Sequence, residues 1–199
     1  MQRGGRGTKC QGMSVTETIT ETTAPAAPLL PIHVVPDPVL RKHARAVTPD
    51  DEAEVRALIP SMFATMYAAP GIGLAAPQVG RLLRVIVVDV APEKTPEPLA
   101  LINPEIIAAS QETCSREEGC LSLPDQYAEV VRPARVKVRY QDENGVKREI
   151  EADGLLAACL QHEIDHLNGV QFVDYLSSLK RNILLRKLAK EMKERRGRK

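Results

Sequence analysis

Asp153-Gly154-Leu155-Leu156-Ala157-Ala158-Cys159-Leu160-Gln161-His162-Glu163-Ile164-Asp165-His166-Leu167-Asn168-Gly169 is the stretch from which the rest of the chain is best read. Asp153 or Gly154 can cap a helix that carries Leu155, Leu156, Cys159 and Leu160 on an apolar face, and Gly169 can end it. At about 100° per residue, His162 and His166 lie on one face a turn apart, so both imidazoles reach a single divalent ion. Glu163, next to the first histidine, is placed to exchange protons with a water at that ion.

Working outward, the strands come in short antiparallel sets. Val130 to Tyr140 alternates at Val136, Val138 and Tyr140, then Asp142-Glu143-Asn144-Gly145 turns the chain into Lys147 to Glu151, a hairpin. Leu82 to Val90 is a β-branched apolar run of the kind buried on both faces, and Leu99 to Asn103 is a shorter one. Residues 50–68 repeat Val55, Leu58, Ile59, Met62 and Met66 at three- and four-residue steps after Pro49-Asp50-Asp51, which predicts a helix with Pro60 as a kink point. Tyr175 to Arg196 presents Leu176, Leu179, Ile183, Leu184 and Leu188 at helical spacing, a stripe expected to dock while a basic face stays in water. The fold class expected is α+β: a single domain of mostly antiparallel sheets around a central metal-binding helix, with a C-terminal helix.

Two histidines leave a catalytic metal site one protein ligand short. Downstream, the string follows the extended metzincin pattern through Gly169 and then has Phe172 where a third histidine belongs. A later glutamate is the thermolysin-like solution, and Glu191 stands at the right sort of distance, but in a basic amphipathic tail that favours a solvated ion pair. Upstream, Glu118-Gly119-Cys120-Leu121-Ser122-Leu123-Pro124 offers a thiolate in a short segment bounded by glycine and proline. Taken alone, that cysteine also fits a small buried hydrophobe.

Gly71-Ile72-Gly73-Leu74-Ala75-Ala76 matches the dinucleotide pattern, with Asp89 near the distance of a ribose-binding acid. A helical segment precedes it, Pro77 follows, and too little chain separates Ala76 from the next strand for a crossover helix, so the cofactor reading fails. No Gly-Lys-Ser/Thr follows to make a phosphate loop. Glycines here instead let backbone approach a substrate, with Gln78 supplying a side-chain amide.

At 199 residues the chain has room for one core. Cys10, Cys114, Cys120 and Cys159 show no disulfide spacing and the opening residues do not read as a secretory segment, so a reducing cytoplasm is the expected location. No apolar run nears the roughly 20 residues that cross a bilayer. The formal net charge of +1 hides a division, because residues 180–199 hold ten Lys/Arg against two Asp/Glu. That tail suits a polyanion such as RNA as well as it suits a merely solvated face. Residues 1–30, rich in Gly, Thr, Ala and Pro, are expected to be a flexible extension, with Met13 as a second start point and glutamates at Glu17 and Glu21 arguing against a transit peptide.

Three segments in order, Gly71 to Gly80, Glu118 to Pro124 and Gln161 to His166, resemble the three signature motifs of the peptide deformylase family (bacterial type). The resemblance runs from about Ile32 to Leu179 and includes Asp37-Pro38-Val39-Leu40-Arg41 and Leu101-Ile102-Asn103-Pro104. It implies a catalytic domain over residues 31–179 followed by a basic C-terminal helix or tail over 180–199, and removal of the formyl group from N-formylmethionine on nascent polypeptides, releasing formate. The implied metal ligands are Cys120, His162 and His166, with water in the fourth position. Glu163 would take the proton of that water, and the resulting hydroxide would attack the formyl carbon while Gln78 and the Leu121 N–H stabilise the oxyanion. Ile72, Gly73, Leu155, Ala158 and Cys159 would line the methionine pocket, and Tyr127 would lie beside the peptide backbone. Asp165 reads as a fold-stabilising group rather than a catalyst. Ferrous iron is the metal the resemblance favours, while zinc, nickel and cobalt suit the same donors. The implied partners are the nascent formylmethionyl peptide and the ribosome, the latter through the basic helix, with the chain a monomer and no membrane involved.

Two other readings compete. A cysteine hydrolase, with Cys120 attacking and His162 as base, leaves Glu163 and His166 without roles. In a structural or RNA-binding protein the metal would staple the fold and the basic tail would carry the function.

Overall fold

The computed structural model describes residues 27–91 and 96–197. Helix α1 spans Glu52–Ala68, β1 Gly73–Ala75, β2 Val85–Val88, β3 Leu99–Ala109, β4 Thr113–Cys120, β5 Leu123–Pro133, β6 Arg135–Gln141, β7 Lys147–Asp153, α2 Gly154–Leu167 and α3 Ser178–Gly197. Five strands form one sheet in the order β1-β2-β3-β6-β7, and β4 and β5 form a second sheet of two. All these pairings are antiparallel.

Strand β2 shows how the layers are built. Its side chains alternate, so Val85 and Val87 join the cluster that α1 supplies with Val55, Leu58, Ile59, Met62 and Met66. Ile86 and Val88 point the other way, to Ala157, Leu160, Ile164 and Leu167 of α2. Each fully buried aliphatic of this kind contributes about 1.5–3 kcal/mol of transfer free energy. Helix α1 begins after a 3-10 turn capped at Thr48, where Thr48 N–H and Oγ1 both donate to Asp51. It runs continuously through Pro60, which faces solvent. Helix α2 touches strands of both sheets, which makes it the central element. It ends where Gly169, at φ +71°, lets its N–H reach the His166 carbonyl.

Several boundaries differ from the sequence reading. The alternation from Val130 to Tyr140 is two strands: Pro133 closes β5 in one sheet, Ala134 donates to Glu112, and β6 enters the other sheet. Strand β3 continues past Asn103-Pro104, because the register shift between Ile102 and Glu105 is a bulge that accommodates the proline. The segment from Glu118 to Pro124 is the tip of the β4-β5 hairpin, with Leu121 and Ser122 as its turn.

Of the expected C-terminal stripe, Leu176, Leu184 and Leu188 dock, and Leu179 and Ile183 do not. A 3-10 turn at Phe172–Tyr175 intervenes, and the helix starts only at Ser178. Leu184, Leu185, Leu188 and Met192 pack inward, with Leu188 at 2% exposure, while Leu179 and Ile183 turn outward at 69% and 59%. Helix α3 runs across the 179/180 boundary expected between domain and tail. The N-terminal extension expected over 1–30 lies mostly outside the described residues; within them, Leu30 donates to Thr65 Oγ1 at 2.9 Å and packs beside α1. Among the described residues, no helix is long and apolar enough to cross a membrane.

Candidate metal centre and peptide cleft

The end of β4 and the middle of α2 bring three donors to one point. Cys120 Sγ lies 3.2 Å from His166 Nε2, and His166 Nε2 lies 3.2 Å from His162 Nε2. All three ligand atoms fall within 4.8 Å of one another. A tetrahedral ion with bonds of about 2.0–2.3 Å would set its ligands about 3.3–3.8 Å apart, so small adjustments suffice. One sulfur and two imidazole nitrogens suit zinc or ferrous iron.

Behind the donors stands a buried charged network. His162 Nδ1 is 2.9 Å from Glu118 Oε2, which fixes the ring with Nε2 toward the thiol. Glu118 takes a fork from Arg132, 2.6 Å from Nε and 3.0 Å from Nη2. Arg132 also reaches Asp165 at 2.7 Å, and the Tyr175 hydroxyl donates to the same carboxylate at 2.9 Å. The Arg132 guanidinium lies 4.6 Å from the Tyr175 ring centroid, a cation-π contact. Asp165 thus lies outside the cleft, tied to the network through Arg132 and Tyr175.

The titration shifts follow from these contacts. Burial favours neutral Glu118, but the hydrogen bonds from His162 and Arg132 outweigh it and hold its carboxyl below the usual range. Burial likewise opposes charge on His162, yet Cys120 and Glu118 overcome it and raise its pKa well above the ordinary value. His166 is pushed well below by burial, then by His162 and Arg132. Burial lifts Glu163 to about 7, with neighbouring Glu118 adding to the rise against the opposing pull of His162.

Three buried side-chain atoms among the described residues lack a hydrogen-bond partner, and two belong here: Glu163 Oε2 and His166 Nδ1. The orphaned Glu163 oxygen marks where a polar reactant fits. Gly73 permits this placement, because a Cβ there would sit 2.4 Å from Glu163 Oε1 and 2.8 Å from Cys159 Sγ.

A cleft of about 570 Å³ opens over the donors. Ile72, Gly73, Leu155, Ala158 and Cys159 line it, as do Gln78, Cys120, Leu121, His162 and Glu163. Tyr127 stands at its rim, 63% exposed. The Gln78 amide is oriented by the Ala75 N–H, which donates to Oε1 at 2.8 Å; its Nε2 donates to Ser122 Oγ at 3.2 Å and lies 3.5 Å from Cys120 Sγ. Every site residue expected from the sequence therefore falls in this cleft except His166, which lies buried beneath it.

Rejected ligands have other partners. Phe172, at the metzincin position, stacks on His162 with ring centroids 6.2 Å apart. Glu191 accepts from Gln126 Nε2 at 2.8 Å and does not itself line the cleft. Asp89 accepts from the Tyr67 hydroxyl at 2.8 Å and from the backbone of Ala91. Arg132, Tyr175 and Ser122 were missed in sequence; only the charge of Arg132 inside an apolar run gave any signal.

A cysteine-histidine-histidine donor set, a buried carboxylate beside it and a peptide-sized cleft above define a metal-dependent amide hydrolase. Residues 29–182 match the profile of the polypeptide deformylase family. A peptide deformylase of Mesorhizobium japonicum is 52% identical over 169 residues, covering 84% of this chain and 96% of that one. One from Methylocella silvestris is 56% identical over 170 residues, covering 83% and 86%. The crystal structure of a peptide deformylase from Legionella pneumophila superposes with a TM-score of 0.80 at 48% identity, covering 86% of this chain and 99% of that one. Another, from Synechococcus elongatus in complex with actinonin, gives 0.75 at 49% identity, covering 79% and 86%. The chain belongs to the polypeptide deformylase family, metal-dependent hydrolases that remove the formyl group from the N terminus of nascent polypeptides.

Proposed function

We propose that Cys120, His162 and His166 hold one divalent cation, and that Glu163 moves the proton in deformylation of N-formylmethionyl peptides. The observation that carries this reading is the unpartnered, buried Glu163 oxygen beside three converging donors. When bound, the cation lowers the pKa of water and polarises the formyl carbonyl. Glu163 takes the proton of the attacking water and hands it to the amine nitrogen as the C–N bond breaks, releasing formate. The Gln78 amide, its carbonyl end already engaged, turns N–H toward the cleft, and with the Leu121 N–H it steadies the oxygen gaining negative charge.

Ile72, Leu155, Ala158 and Cys159 give the methionine side chain an apolar wall, and Gly73 admits its backbone. Strands β1 and β4 each end a sheet, so each has one unpaired edge, and residues of both line the cleft. An extended peptide laid between them finds backbone partners on both sides, with Tyr127 at the rim.

Ferrous iron is the proposed cation: metal analysis of protein purified without air should report iron, and zinc, nickel or cobalt in its place would contradict that choice. Exhaustive chelation should abolish formate release from formyl-Met-Ala-Ser and added divalent metal should restore it. A thiol nucleophile at Cys120 would keep its activity without metal, and that result would contradict the assignment.

The same reading makes the chain a cytoplasmic monomer that meets the ribosome through the basic face of α3. Lys190→Glu with Lys193→Glu should weaken ribosome co-sedimentation in a salt-dependent manner; unchanged co-sedimentation contradicts the contact.

A further inference from the structure

Helix α3 is joined to the cleft wall by contacts of different kinds. Its apolar side, through Leu188 and Met192, packs in the cluster that contains Leu123, Phe172 and part of Cys120. Its polar side reaches the start of β5. Glu191 Oε2 accepts from Gln126 Nε2 at 2.8 Å, and Arg195 pairs with Asp125. Gln126 is itself buried, at 2% exposure, so its amide needs partners inside the protein. Glu191 supplies one, and the Pro124 carbonyl, 3.4 Å away, is a longer second.

The segment these contacts hold is under conformational load. Asp125 sits at φ +60°, in the left-handed region that side-chain-bearing residues seldom enter. Both Asp125 and Gln126 line the cleft, and Tyr127 follows directly. The Tyr127 ring lies across Gly119, where a Cβ would come within 2.6 Å of it, and Gly119 precedes the ligand Cys120. A ring so exposed has few packing contacts to fix it, so its place depends on the backbone at Gln126.

We infer that Glu191 is a positioning residue for peptide binding: by holding Gln126 it sets the Asp125–Tyr127 wall against which substrate residues after methionine lie. This rests on the deformylase reading above and adds the C-terminal helix to the substrate-binding unit. Glu191 touches neither substrate nor donors. Its effect belongs to KM for substrates long enough to meet the wall.

The test compares kcat and KM for formyl-Met-Ala-Ser and for formyl-Met alone, with metal-loaded full-length protein. Glu191→Ala should raise KM for the tripeptide about five- to tenfold, the scale of one lost hydrogen bond, with kcat unchanged. KM for formyl-Met should stay at the wild-type value. Glu191→Gln should restore the tripeptide KM, because an amide oxygen accepts the same bond. If Glu191→Ala folds poorly, Arg195→Ala, which frees Asp125, should give the same selective KM rise. Wild-type KM for the tripeptide in the folded variant overturns the inference, whether or not the unfolding temperature moves. An equal rise for both substrates also overturns it. A wild-type protein that hydrolyses neither substrate would overturn the deformylase reading instead.

Discussion

The two faces of the five-stranded sheet are covered by helices of similar length that do different work. On one face, α1 meets the strands through methionine and aliphatic side chains, and its buried Thr65 hydroxyl is satisfied within the helix by the Ser61 carbonyl. On the other, α2 meets the sheet with Ala157, Leu160, Ile164 and Leu167 but buries His162, Glu163 and His166 as well. The first arrangement returns stability for every group buried. The second holds ionisable groups out of water, where each is costly unless paired: Glu118, held in turn by Arg132 and through it by Asp165, pairs His162, while Glu163 Oε2 and His166 Nδ1 are left without a partner. A buried charge network of this kind is weak support for stability and strong support for geometry. The difference separates residues that keep the protein folded from residues that give it a reaction.

The contrast should be sharpest at the fully buried Met62. Met62→Ala is expected to lower the unfolding free energy by about 2–5 kcal/mol in urea titration, while the folded fraction keeps its deformylation rate. A matching loss of rate per folded molecule would show that the two faces are not separable.

Glu118→Gln attacks the other face. It leaves His162 less firmly oriented and Arg132 without its full counter-charge, so metal affinity should fall about 10- to 100-fold in chelator competition. Unchanged affinity would mean that the network supports the fold and not the donors.

The smallest effect belongs to a surface-side control on α1. Arg45 and Thr48 hold the Asp51 carboxyl well below the usual carboxylate range. A depressed folded value gives stability that is present above the unfolded value, about 4, and is lost as pH falls through the folded value. Asp51→Asn should therefore be less stable than wild type near pH 7, with the gap closing in strong acid. A gap that stays constant with pH would remove the Arg45 pairing from the account.

Much of this division was legible in the sequence. The helical spacing of Val55, Leu58, Ile59, Met62 and Met66 announced α1, and the histidine pair with its glutamate announced α2. With Phe172 in place of a third histidine, the third donor has to come from elsewhere in the chain, and the fold brings Cys120 to 3.2 Å from His166. What stayed hidden depended on long-range pairing. Strand β4, Thr113-Cys114-Ser115-Arg116-Glu117-Glu118-Gly119-Cys120, belongs to a two-stranded ribbon with most side chains in water, so it carries no apolar alternation. Arg132 and Glu118 lie on adjacent strands but are not register partners, since Arg132 faces Cys114. Their ion pair is therefore set by side-chain reach, which spacing does not reveal. The α3 stripe was legible only in part, because Ile183 and Leu184 lie about 100° apart on the helix and spacing alone does not say which of two adjacent apolar rows docks.

The central claim is that a buried carboxylate beside the donors moves the proton in formamide hydrolysis. Glu163→Ala, purified without air, should retain one metal ion per chain yet release formate from formyl-Met-Ala-Ser about 10²- to 10⁴-fold more slowly than wild type. A variant that kept both its metal and the full wild-type rate would contradict the account.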